Sequence, residues 1–175
     1  MRKTYLLFAF LLLPFANAFG QQFEQLAAHT KVIYIVNFIK YIEWPPDYRS
    51  GDFVIGVLNG SPAMLEELNK MAATKTAGSQ KFVIKNFKSI EEIDKCNILY
   101  IPEGSNGLLA EVTKKVHGKS TLLITETEGD ARKGAAINFI AKDNKQAFEL
   151  NKAMAEKSGL VVSSGLKALA AVNIE

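Results

Sequence analysis

A dense helical period runs through residues 31–46, KVIYIVNFIKYIEWPP. Val32, Ile35, Val36, Ile39 and Ile42 fall on one side, with Ile39 at its centre, and Tyr34, Phe38 and Tyr41 widen the arc. Only Asn37 and Lys40 mark a polar stripe. A helix apolar over more than half its circumference has to be covered by other elements, so the pattern predicts a central, buried helix. It is too short for a bilayer, which takes about 20 apolar residues. Trp44-Pro45-Pro46 ends it, because proline keeps the preceding residue out of αR and cannot donate to the helix ladder.

Beyond that helix, short apolar runs alternate with amphipathic ones. Phe53–Leu58 is bounded by turn residues and reads as a strand. Ser61 is placed to cap, and Pro62 to open, a helix reaching about Ala73 that buries Met64, Leu65, Leu68 and Met71. Residues 81–87 read as the next strand, and Ser89 as the cap of a short helix through Ile93. Residues 96–101 form a third strand and 108–116 a helix closed by Gly118. Residues 121–125 form a fourth strand, before the polar loop 126–134. Residues 135–141 and 146–150 flank Asp143-Asn144-Lys145 as a hairpin. Asn151 caps a helix over 152–157, which Gly159 ends. Residues 160–162 are extended, and Ser163 or Ser164 caps a last helix towards Val172.

Strands alternating with helices build a parallel sheet with helices on both faces. The fold class is therefore α/β: a single three-layer domain, its mostly parallel sheet flanked by helices and finished by a C-terminal β-hairpin. Repeats, low-complexity tracts and linkers are lacking.

The N-terminus changes the compartment. Arg2 and Lys3 precede an apolar run over residues 5–15, and Ala16-Asn17-Ala18 is an A-x-A cleavage site, so residues 1–18 read as a secretory signal peptide. An eleven-residue run is too short for an anchor. Residue 19 is Phe and not the cysteine of a lipoprotein. Residues 19–175 then form the mature domain, exported to the periplasm. Its formal charge falls from +3 to +1 without Arg2 and Lys3, so nucleic-acid binding has no electrostatic support. Cys96 is the one cysteine, which rules out an internal disulfide and reads as a small buried hydrophobe.

Catalytic and metal-binding chemistry is sparse. His29 and His117 lack a Cys or carboxylate at metal-ligand spacing, and the common nucleophile, dinucleotide and phosphate-loop motifs are missing. Ser164-Gly165-Leu166-Lys167 matches S-x-x-K, which would set Lys167 one turn from a Ser164 nucleophile. The companion S-D-N and K-T-G motifs are absent, so a helix cap is the stronger reading of Ser164. Neither a cofactor nor a metal is expected. Asn59, Gly60 and Ser61 lie where open α/β sheets bind ligands, at a strand's carboxyl end against a helix N-terminus, and the 126–132 loop borders the same edge. These residues are ligand-binding candidates, although Asn-Gly and Ser-Pro are also ordinary tight-turn chemistry. Trp44 is either a core cap or, with Pro45, a partner-binding anchor, since aromatic residues dominate interfaces. Asn37, polar on an apolar helix, is expected to hydrogen-bond within the fold.

Asn37, Phe38, Tyr41, Glu43, Trp44 and Pro45 spell N-F-x-x-Y-x-E-W-P, and this resembles the YfiR-type periplasmic proteins. The likeness continues through Phe53–Leu58, Gly78 and residues 96–101. It is strongest at Ala136-Ile137-Asn138-Phe139, at Phe148-Glu149-Leu150-Asn151 and over residues 158–166. The resemblance implies a non-enzymatic regulator that represses a membrane-bound diguanylate cyclase by contacting its periplasmic sensor portion. It also implies further, paired cysteines that this chain lacks. Homodimerisation stays open. The alternatives are a periplasmic small-ligand-binding module and, last, a small serine hydrolase using Ser164.

Overall fold

The alternation of strands and helices closes into one large sheet. A computed structural model describes residues 4–105 and 107–174, with side chains from Gly20 onward. Helix α1 (Thr4–Ile39) leads through strand β1 (Ile42–Glu43) into β2 (Phe53–Leu58), α2 (Pro62–Ala72), β3 (Thr76–Ala77) and β4 (Gln80–Phe87). Next come β5 (Ile98–Ile101), α3 (Leu109–Lys115), β6 (Leu122–Thr125), β7 (Ile137–Lys142) and β8 (Lys145–Asn151). The chain then forms α4 (Lys152–Lys157), β9 (Val161–Val162), α5 (Ser164–Leu169) and β10 (Val172–Ile174). The expected signal peptide, residues 1–18, falls mostly within the first part of α1, and Arg2 and Lys3 lie outside the described residues.

The sheet order is β10-β8-β7-β6-β5-β2-β4-β3. Strands β4, β2, β5, β6 and β7 run parallel, as the βαβ alternation requires, while β8 returns antiparallel beside β7. Asp143 and Asn144 both take positive φ, 51° and 57°, the conformation of a two-residue hairpin turn. Each central strand alternates its side chains between two cores. Ile98 and Tyr100 of β5 face a larger core with α1 and α2, whereas Leu99 and Ile101 face a smaller one with α3. Three layers result.

The helix starts follow the caps. Ser61 accepts from the Met64 N–H with Pro62 next, and Asn151 accepts from the Met154 N–H.

Four local expectations are corrected. First, α1 stops at Ile39, before Trp44. Lys40 and Tyr41 close a final tight turn, donating to the Asn37 and Phe38 carbonyls, and the Tyr41 carbonyl accepts from the Ser163 N–H. Ile42 therefore leaves the helix for an antiparallel pairing with Val162. Second, the buried face of α1 is Ala28, Val32, Ile35 and Phe38; Ile39 is half-buried, and Ile33 is 49% exposed. Only one side of α1 meets the sheet layer, so the helix is not covered all round. Third, no helix spans 89–93: Lys88 N–H is held by the Glu92 carboxylate, and a single turn from Ile90 to Ile93 carries the chain across the smaller core. Fourth, the last helix ends at Leu169, and Val172–Ile174 joins β8 as a parallel edge strand.

Candidate functional site

The parallel order β4-β2-β5-β6 reverses its direction of growth at β2, which puts a switch point at the carboxyl ends of β2 and β5. Open α/β sheets bind ligands at such a switch point. Here α1 lies across the mouth. Glu24, Ala27, Ala28 and Lys31 close a cavity of about 220 Å³ whose other walls include Ser61, Tyr100, Pro102 and Glu103. A wider cleft of about 670 Å³ adjoins it, lined by Glu103, Glu126, Glu128, Glu149, Gln146 and Phe139. Lys31 and Glu126 line both spaces, joined by an ion pair with Nζ 2.6 Å from Oε1. Their side chains are only 20% and 11% exposed. A buried polar chain supports the cleft: Thr125 Oγ1 donates to Asn138 Oδ1 at 2.9 Å, and Asn138 Nδ2 donates to Glu149 Oε2 at 3.0 Å. Hydrogen-bond acceptors and one ammonium suit the crevice to holding a small polar molecule. They do not pair a nucleophile with a base.

The ligand candidates divide. Ser61 lines the smaller cavity, but its hydroxyl already accepts from Met64 N–H. Asn59 is left-handed, φ 54°, and its N–H donates to the Phe87 carbonyl. Gly60 N–H donates to Asn86 Oδ1. A β-carbon at Gly60 would come 2.8 Å from Val57 Cγ1, so glycine is needed for the close approach. These three residues build the turn from β2 into α2, and Ser61 alone also borders the crevice.

The partner candidates divide as well. Trp44 is 5% exposed; its ring packs edge-on to Phe53 at 5.0 Å, and its Nε1 donates to the Asn97 carbonyl. Trp44 therefore packs in the core, and Pro45 is half-buried beside it. Asn37 does bond within the fold, accepting from Lys40 Nζ. Ser164 and Lys167 are both exposed, and Ser163 is the residue at the cap position. Cys96 is 1% exposed, and burial pushes its thiol up to about 11, so little reactive thiolate forms at neutral pH.

Two hubs escaped the sequence reading because their partners are remote in the chain. Asn97, 4% exposed, accepts from Val54 N–H, donates to the Tyr48 carbonyl and receives the Trp44 indole on its own carbonyl. Glu67, on α2, holds α1: its carboxylate meets His29 Nδ1 at 2.7 Å, Gln25 Nε2 at 2.7 Å and Lys70 Nζ at 2.9 Å. His29 in the first place, and Lys70 next, hold the Glu67 carboxyl down at about 2. A depressed carboxyl stabilises the fold fully above its unfolded value near 4.5 and loses that contribution as pH falls towards 2. Glu67→Gln should cost about 1–3 kcal/mol at pH 7. His29 and Lys70 are more than half exposed, so screening favours the lower end. Urea midpoints of the two proteins should differ at pH 7 and converge as pH falls below 4; a constant gap would refute this role.

The resemblance residues from the two ends of the chain meet in space. Phe38 packs against Phe148 at 4.8 Å and Phe139 at 5.9 Å. Asn151 N–H donates to the Ala136 carbonyl. A family model described as YfiR/HmsC-like matches residues 28–171. No curated protein matches the chain.

Proposed function

Because the chain belongs to the YfiR/HmsC-like family, we propose that it is an exported, non-enzymatic regulator of cyclic di-GMP signalling. It binds the periplasmic sensor portion of a membrane protein, a diguanylate cyclase, and represses it. The observation that carries this reading is the match over residues 28–171, which spans both ends of the fold. It is supported by Ser164 and Lys167, which are exposed and unassembled. No helix among the described residues is long and apolar enough to cross a membrane. An exported chain reaches only the periplasmic part of such a sensor, and its effect crosses the membrane through that partner's conformation. Repression then needs tighter binding to the partner's inactive state than to its active one, because equal affinity shifts nothing.

Export removes residues 1–18 and leaves Lys31 and the rest of the α1 packing face in place. Mass measurement of the protein from the envelope fraction should find a chain beginning at Phe19. A full-length chain recovered from the cytoplasm would contradict export.

Immobilised mature protein should retain the detergent-solubilised cyclase, and Ser164→Ala should retain it equally. Ser164 is the exposed first residue of α5 and not its cap, so that variant should stay within about 0.5 kcal/mol of wild-type stability. Loss of a hydrolytic activity in folded Ser164→Ala would overturn the non-enzymatic reading.

One observation favours a second reading, small-ligand binding. Ser61 and the Lys31–Glu126 pair border a crevice at the switch point. A ligand held there would bear on α1 directly.

A further inference from the structure

The uncovered side of α1 is the least explained surface of the molecule. Ile33 stands on it, 49% exposed, between the sheet-facing residues and solvent. Between α1 and α2 runs a groove of about 370 Å³. Ile33 and Val36 are its accessible apolar residues, over a floor of buried Val32 and Met71, and Lys40, Lys70 and Lys75 stand along it. Lys70 is already paired with Glu66 and Glu67. Lys40 and Lys75 form no ion pair among the described residues, so their charges are uncompensated. Glu67, the groove's one carboxylate, is spent on His29, Gln25 and Lys70.

We infer that this groove takes an amphipathic helix whose apolar stripe is flanked by acidic residues, presented by the membrane partner. Both walls are helices, and the accessible apolar residues Ile33 and Val36 lie three apart on α1, so an incoming helix can set its ridges against them. The uncompensated lysines choose the partner's sign, because matched potentials steer encounter and like charges are rejected. A basic or uncharged helix leaves Lys40 and Lys75 unmatched. This assignment rests on the proposed regulatory role only for the partner's location; the groove's chemistry stands apart from it.

The test is cross-linking in intact cells, with a photoreactive amino acid placed at Ile33 in the full chain and, as a control outside the groove, at Val161, an exposed apolar residue of β9. The cross-linked peptide from the Ile33 position is expected to be a segment with apolar residues three and four apart and acidic neighbours. Combining that probe with Lys40→Glu and Lys75→Glu should cut its yield about tenfold or more. Circular dichroism of the purified variant establishes that it is folded. The assignment is overturned by a product joining two copies of this chain, by a segment without acidic flanks, or by no product. It is equally overturned by yields that ignore the charge reversal, or by equal yields from Val161. An acidic helix captured from a membrane protein other than a cyclase would leave the groove assigned and overturn the cyclase reading instead.

Discussion

Phe38→Ala is expected to remove about 3–5 kcal/mol of stability, the cost of deleting a buried aromatic side chain. That is a large share of the roughly 5–15 kcal/mol typical of a domain. Phe38 is 1% exposed and is the side chain through which α1 grips the hairpin. It contacts Phe148, Phe139 and Tyr34 ring to ring, and Tyr34 in turn donates its hydroxyl to the Gln146 carbonyl. Truncation leaves a cavity between a helix and two strands that are pinned by other contacts and cannot collapse to fill it. Ile33→Ala, five residues earlier on the uncovered side, should change stability by no more than about 0.5 kcal/mol. Urea titration of the pair reads the helix phase directly. Similar losses from both substitutions would mean that α1 is buried all round.

Trp44→Ala should cost a comparable amount, about 3–5 kcal/mol. The indole fills space against Phe53 and satisfies the Asn97 carbonyl, and Asn97 in turn ties Val54 to Tyr48. Trp44→Phe keeps most of the ring and loses only the hydrogen bond, worth about 1 kcal/mol. The graded pair separates packing from polar satisfaction. A Trp44→Ala protein of unchanged stability that fails to hold its partner would restore Trp44 as an interface anchor.

The contrast between Phe38 and Trp44 shows where the sequence was legible. Local signals carried far. Ser61 and Asn151 marked their helices because a cap bonds within three residues, and Asp143-Asn144 marked the hairpin because the turn demands positive φ. Strands with both faces buried, such as Ile98–Ile101, announced themselves as continuous apolar runs. What stayed hidden depends on contacts between distant segments. Ile42 belongs to a strand only because Val162, far along the chain, pairs with it. Val172–Ile174 becomes a strand because β8 offers an edge. The phase of α1 could not be read from a segment apolar nearly all round; α2 and the sheet decide which side is covered. The crevice was half legible. Strand order places Ser61 and the 126–132 loop at this edge, whereas nothing local points Lys31 at Glu126.

The central claim is that the exported chain represses a cyclase across the membrane, and cellular cyclic di-GMP tests it most directly. Cells lacking the protein should contain more cyclic di-GMP than cells that make it, and restoring the chain with its leader should bring the level down. The same chain restored without residues 1–18 should leave the level high, because it cannot reach a periplasmic sensor. Unchanged cyclic di-GMP on removal of the protein, or full repression by the leaderless chain, would contradict the account.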